Sequence, residues 1–223
     1  MDELKIRTLK RGPLSSQVYE MLKDSIIKGD IKPGTRLTEK AVVELFEVSS
    51  TPVREAFRKL SNDGLIEMVP YKGVKVKEID VSDLIEVYSC RAMFEKHAIK
   101  LSIKNFTPEY CQDLREIIEK SKNANTQKEY VDFNTEFHER ILKQANNSRL
   151  EGFFKQLDDI IIHNRMHSSY SEERKNEINN EHERIIEAIS ILDIQLAESR
   201  MEKHISNGFE YMEKVSTLIK RKN

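Results

Sequence analysis

Ser49-Ser50-Thr51-Pro52-Val53-Arg54-Glu55-Ala56-Phe57-Arg58 is the stretch that decides how the first third of the chain folds. A run of hydroxyl residues able to cap a helix ends at Thr51. Pro52 then falls in the first turn, where its missing N–H costs nothing, so a helix is predicted to start here. At 100° per residue Val53, Ala56, Phe57 and Leu60 share one side, while Thr51, Arg54 and Arg58 leave from another. One face packs; the other carries a hydroxyl and two guanidinium groups. A helix whose polar N-terminal end is free to approach phosphates and base edges serves as the recognition helix of a helix-turn-helix. The same residues also describe an ordinary amphipathic surface helix, and the neighbouring segments decide between the two.

Upstream, Val18, Met21, Leu22 and Ile26 keep helical spacing between Ser15 and Lys28, with Gly29 at the position of a C-terminal cap. Lys32-Pro33-Gly34-Thr35 reads as a turn and Arg36-Leu37 as a short extended piece. Thr38 caps a second helix carrying Val42, Val43, Leu45 and Phe46, which the tight Glu47-Val48-Ser49 connection joins to the third. Downstream, Gly64 ends the run. Residues 65–69 and 74–77 read as strands around the turn Pro70-Tyr71-Lys72-Gly73, so a β-hairpin comes next and the unit is a winged helix. Alternation in Val74-Lys75-Val76-Lys77 turns valines inward and lysines outward, as a wing beside a phosphate backbone requires; a lysine-rich edge strand also guards against aggregation. Residues 1–13, with Lys5, Arg7, Lys10 and Arg11, read as a basic arm.

The blocks running from Ile27 to Glu39, from Val48 to Phe57, from Leu60 to Gly64 and from Pro70 to Val74, in that order and spacing, closely resemble the DNA-binding domain of the GntR family of bacterial transcription regulators. The resemblance implies that Thr51 and Arg54, flanked by Ser49, Ser50 and Arg58, meet operator phosphates and bases. It further implies that Lys40 reaches the backbone and that Lys72 and Gly73 bring the wing to the minor groove. Many members carry arginine where this chain has Ser50. A serine cannot read guanine bidentately, so a different operator preference is expected.

Composition bounds the rest. The chain of 223 residues is long enough for two domains, expected at 1–78 and 79–223. Net charge is −1, divided into about +3 before residue 79 and −4 after it. Cys90 and Cys111 are the only cysteines, which argues against a disulfide framework or thiolate zinc site and for a reducing, cytoplasmic setting. No apolar run approaches the roughly 18 residues that span a bilayer, so a soluble protein without a membrane partner is expected. Four of the five prolines lie in the first third. The remaining two thirds should be long helices.

Six helices are predicted behind the hairpin, giving a mainly α chain: a winged helix-turn-helix followed by an antiparallel six-helix bundle. The helices run from Asp80 or Ser82 to Leu101, from Thr107-Pro108 onward, around Tyr130 to Leu142, from Leu150 to Ser168, from Asn176 to Ile191, and from Asp193 to Lys220. His138 lies one turn after Asn134 on the face of Tyr130 and Ile141. His182 shares a stripe with Ile178, Ile185 and Ile189, and His204 borders Met201 and Ile205. A lone histidine on an apolar face is usually a hydrogen-bonded core residue. Three imidazoles and an amide oxygen converging between helices would instead suit zinc, nickel or manganese with a position left open. His163 and His167 are read as a partly solvated surface pair, and His97 as incidental.

Residues 134–138, Glu181-His182-Glu183-Arg184 with Ala188, and Lys203-His204-Ile205 resemble the metal-ligand motifs of the FCD effector domain that follows GntR-type winged helices, and the six-helix count is similar to its shorter VanR-like branch. By that resemblance Asn134, His138, His182 and His204 hold a divalent ion and a small carboxylate completes its coordination. Members usually have aspartate at position 134; the neutral asparagine implies a weaker ion and a more positive site. Arg91 and Arg165 fall on apolar stripes and each needs a carboxylate partner, either Glu95 and Asp158 respectively or the effector itself. The expected function is a dimeric, metal-containing regulator, a repressor, that reads an inverted repeat in double-stranded DNA and responds to an organic acid. The rival readings are a three-histidine metal-dependent hydrolase, which lacks a companion general acid or base, and a regulator whose metal is purely structural.

Overall fold

The computed structural model describes residues 12–70, 72–78, 81–166 and 170–222, with the side chains of 81 and 216–222 left aside. The predicted basic arm up to Arg11, Tyr71 of the turn, and His167 lie outside the described residues. The chain divides into two compact units, residues 1–79 and 80–223.

The first unit holds α1 (Leu14–Ile27), β1 (Arg36–Leu37), α2 (Glu39–Phe46), α3 (Ser50–Asn62), β2 (Ile66–Val69) and β3 (Gly73–Val76). Thr38 caps α2 by accepting from the Ala41 N–H, and Glu47 closes it in the left-handed conformation at φ 52°. The third helix starts slightly earlier than expected. Ser49 is its N-cap, without a side-chain cap bond, which places Thr51 and Pro52 inside the first turn. Val53, Ala56, Phe57 and Leu60 are all buried and join Val18, Leu22, Ile26, Val42 and Phe46 in one core. Burying a side chain such as Phe57 contributes about 1.5–3 kcal/mol, which fixes the helix face that remains outside.

The sheet order is β1-β3-β2, antiparallel throughout, with Leu37 opposite Val74 and Ile66 opposite Val76. Val74 and Val76 are fully buried, as the alternation predicts. β3 is the central strand, however, so its lysines do not protect a free edge. The two residues of β1 are enough to cover that side, a pairing across almost forty positions that strand periodicity does not encode. Gly73 belongs to this contact. Its φ is +89°, and a Cβ there would lie 2.3 Å from the Leu37 carbonyl oxygen, so the β1–β3 approach by itself demands glycine.

The second unit is helical: α4 (Val81–Lys104), α5 (Pro108–Lys122), α6 (Gln127–Gln144), α7 (Ser148–Met166), α8 (Glu172–Ser190) and α9 (Ile194–Lys222). Thr107, Thr126 and Ser171 cap α5, α6 and α8, Thr126 through a reciprocal capping box with Glu129. The fifth of these begins at Glu172 rather than Asn176, because Ser171 supplies a cap well ahead of the apolar stripe. α4, α6 and α8 run together, as Arg91 with His138, Asn105 with Gln144, and Phe137 with His182 show. α9 runs against them, with Phe209 on Tyr88 and Glu202 on Lys96. Its His204 thereby reaches the level of His138 and His182. No helix among the described residues is long and apolar enough to cross a membrane.

Candidate functional site

The outward face of α3 carries Thr51, Arg54 and Arg58, all exposed, with Ser49 exposed and Ser50 half-buried at its N-terminal end. Arg54 Nε donates to Glu39 Oε2 at 2.7 Å, which ties the guanidinium to the start of α2. Lys40 is 85% exposed and only 3.8 Å from Glu44, so its charge is available to a partner. Lys72 is exposed in the hairpin, whereas Lys75 is held by Glu78 at 2.6 Å. The sequence-predicted contact residues thus sit on one small unit as a polar, mostly cationic surface over an apolar core.

The helical unit is built the other way round. His138, His182 and His204, from α6, α8 and α9, are each at most 4% exposed, and their ring nitrogens lie within 4.8 Å of one another. His138 Nε2 is 3.3 Å from His204 Nε2, which is 3.4 Å from His182 Nε2. Two carboxylates set the tautomers from behind. His138 Nδ1 donates to Glu95 Oε2 at 2.5 Å, and His204 Nδ1 donates to Glu181 Oε2 at 2.6 Å. With both protons spent on Nδ1, neither facing Nε2 carries a hydrogen, so their contact is not a hydrogen bond and each lone pair calls for a cation or a donor. His182 is oriented differently, its ring stacked on Phe137 at 3.8 Å.

Electrostatics keep the cluster neutral. Burial pulls all three imidazoles below their ordinary pKa; Glu95 opposes this at His138 and Glu181 at His204, while His182 is lowered further by the other two histidines. Both contacts are therefore hydrogen bonds from neutral rings rather than ion pairs. Burial pushes the Glu95 carboxyl upward, but Arg91 and then His138 outweigh it and hold it well below the carboxylate range. Burial likewise opposes ionisation of Glu181, and the His204 hydrogen bond with its neighbours brings it to about 2. Neutral imidazoles with carboxylates behind them have the protonation a metal ligand needs.

Asn134 stands one turn before His138, 3% exposed, and its Oδ1 has no hydrogen-bond partner among the described residues. A buried carbonyl oxygen left without a donor is uncommon and destabilising, and a divalent ion at the histidines would satisfy it. The donor set of three imidazole nitrogens and one amide oxygen fits such an ion on the chemistry of its ligands.

The two arginines differ. Arg91, 2% exposed, donates from Nε to Glu95 Oε1 at 2.6 Å and from Nη2 to His138 Nε2 at 2.9 Å, so Glu95 is the partner that its spacing offered. Arg165, 3% exposed, does not pair with Asp158; its described hydrogen bond from the guanidinium goes to the Thr135 hydroxyl at 3.3 Å. Burial lowers the Arg165 pKa and nearby Arg91 adds to it, whereas burial lifts Asp158 to about 7 against the pull of Arg165. A buried guanidinium in ion-pair contact with no carboxylate among the described residues, beside three histidines, is what an anion would seek.

His163 departs from its reading. It is 5% exposed and part of the interior, because α7 is enclosed at that end on more than the side carrying Phe154 and Ile161. His97 is exposed, as an incidental residue would be. Sequence reasoning missed two participants, Glu181 and Thr135. Glu181 adjoins His182 in the chain but serves His204 on another helix, for which no local pattern exists. A cleft of about 270 Å³ between α8 and α9 reaches Glu181 and His204 from outside, rimmed by Arg184, Arg200 and Lys203.

Comparison with known proteins agrees with both halves. Residues 14–76 match the profile of the bacterial regulatory proteins of the gntR family, and residues 86–207 match the FCD domain. The helix-turn-helix-type transcriptional regulator YdhC of Bacillus subtilis is 28% identical over 219 residues, 96% of this chain and 97% of its own length. The transcriptional repressor RspR of Escherichia coli is 31% identical over 137 residues, 60% of each chain. The solved structure of E. coli McbR/YncC superposes with a TM-score of 0.74 at 24% identity, covering 93% of this chain and 99% of that one, which speaks for the fold.

Proposed function

From the premise that this chain belongs to the GntR family of bacterial regulators and carries an FCD domain, and is a DNA-binding transcriptional regulator rather than an enzyme, we propose a finer reading. The protein is a cytoplasmic, dimeric repressor holding one divalent transition-metal ion on Asn134, His138, His182 and His204. Its affinity for an inverted-repeat operator is set by a small organic acid bound beside that ion. The single observation that carries the metal is the convergence of three buried imidazoles from three helices, with ligand nitrogens all within 4.8 Å of one another. The ion would act as a Lewis acid that anchors a carboxylate. Arg165, in ion-pair contact with no carboxylate among the described residues, supplies the charge-assisted hydrogen bonds that orient that anion, with Arg91 as a second donor.

Recognition of DNA is assigned to Ser49, Ser50, Thr51, Arg54 and Arg58 on α3, with Lys40 on the backbone and Lys72 and Gly73 at the wing. Two copies are brought together through an apolar patch on the helical unit: Ile85 and Met93 on one stripe of α4 are 53% and 60% exposed, and Phe153, 56% exposed, stacks on Phe94 beside them. The relative named as a repressor supports the sign of regulation. Anisotropy titration of labelled operator duplex with zinc-loaded protein, with and without a panel of organic acids, tests the whole reading. At least one acid should weaken binding about ten-fold or more. Unchanged affinity at saturation with every acid would remove the effector, and no binding to duplex at low salt would remove the assignment to DNA.

A further inference from the structure

Arg91 and a metal ion need the same electron pair. His138 carries its proton on Nδ1, where Glu95 takes it, so Nε2 has one lone pair and no hydrogen. Arg91 Nη2 lies 2.9 Å from that Nε2, and because a guanidinium does not deprotonate in proteins, it is the donor. A lone pair engaged by an N–H cannot coordinate an ion at the same time. Nor is this guanidinium loosely placed: it is 2% exposed and its Nε is anchored to Glu95 Oε1 at 2.6 Å, the same carboxylate that orients His138.

We infer that Arg91 is a latch on the metal centre, holding His138 Nε2 whenever no ion does and displaced from it when a divalent ion is coordinated. The inference rests on reading the three histidines as metal ligands. Its consequence falls on the displaced donor. Once off His138, Nη2 is a buried N–H in need of an acceptor, in a neighbourhood where Arg165 also makes no ion-pair contact with a carboxylate among the described residues. An anion relieves both. Metal loading therefore readies the centre for a carboxylate, and by linkage a bound carboxylate strengthens metal binding by the same factor.

Zinc titrated into full-length protein stripped of metal, in competition with a chromophoric chelator at one fixed pH, reads the latch directly. Arg91→Met removes the competing donor and should bind zinc about ten-fold more tightly than wild type or better, the size of one charge-assisted hydrogen bond. Arg91→Met also leaves Glu95 unpaired, which makes His138 more basic, so Arg91→Lys is the control. Its ammonium keeps a charge beside Glu95 but lacks the fork that spans Glu95 and His138, and it should tighten zinc in the same direction. Thermal unfolding establishes that each variant is folded, and the visible absorption of cobalt(II) establishes that the ligand set is unchanged. Zinc binding equal to or weaker than wild type in Arg91→Lys, folded and with an unaltered cobalt spectrum, overturns the latch and leaves the metal centre standing. Absence of zinc binding in wild type and variants alike overturns centre and latch together.

Discussion

The outward face of α3 and the buried face shared by α6, α8 and α9 are made by the same device, polar side chains repeated at helical spacing, and they are stabilised in opposite ways. On α3 the polar groups face water, their charges are screened, and Val53, Ala56, Phe57 and Leu60 hold the helix without them. In the helical unit the polar groups lie within the core, where burial calls for partners: Arg91 with Glu95, Glu95 with His138, Glu181 with His204. Residues of a surface site can therefore change with little effect on stability, whereas those of a buried one are coupled to stability at every position.

Breaking the buried chain should have the largest effect. Glu95→Ala leaves the Arg91 guanidinium buried without its carboxylate and should destabilise the helical unit by about 3–5 kcal/mol, seen as a fall in its unfolding transition. A loss no larger than that of a surface mutant would show that Glu95 is not the keystone of that chain.

Acid should separate the two units next. The six histidines of the chain all lie after residue 79. For His138, His182 and His204 the folded pKa is below the unfolded one, so the unfolded chain takes up more protons as pH falls below about 6.5 and stability is lost in that direction. Asp158, raised to about 7, and Glu139, raised by burial, work in the opposite sense as pH falls toward the ordinary carboxylate range, but they are two groups against three. Glu181, depressed to about 2, contributes stability that is present above its unfolded pKa and is lost only as pH falls from there toward 2. Hydrogen exchange resolved by segment should therefore show α6, α8 and α9 opening between about pH 6.5 and 5 in metal-stripped protein while α1 to α3 stay protected. Parallel loss in both would contradict the assignment.

Arg54→Ala sharpens the contrast from the other side. Its unfolding midpoint should match wild type, since the pairing with Glu39 is exposed, while operator affinity falls about ten-fold and the salt dependence of binding becomes shallower. The smallest effect is expected from Glu47→Gly. Position 47 has φ 52°, a conformation that glycine adopts without strain, so stability should rise by about 0.5–1 kcal/mol with DNA binding unaltered; a fall would mean that the Glu47 side chain holds the turn.

How much could be read before the fold was known differs between these regions for a physical reason. The winged helix is local: caps at Thr38 and Ser49, the turn after Glu47 and a short hairpin involve neighbours within a few residues. Even the shifted start of α3 is only a choice among three adjacent hydroxyls. What escaped there was long-range, the pairing of the extended Arg36-Leu37 piece with β3, which makes β3 central and Gly73 obligatory. In the helical unit the stripes placing Asn134, His138, His182 and His204 inward were legible because burial follows a 3.6-residue period. His163 misleads because a period reports one apolar side and not how many neighbours a helix will have.

Taken by itself, the amino-acid sequence determined which residues share a helix face, which segments are helical, and hence that three imidazoles and one amide would be buried. Only the tertiary structure decided that the imidazoles meet, that Glu181 serves His204, that Arg91 rests on His138, and that Arg165 lies apart from Asp158. Helical repeat is a property of one segment and is encoded residue by residue. Which atoms touch across three helices is set by the packing of their side chains against one another, a many-body outcome that no single segment carries.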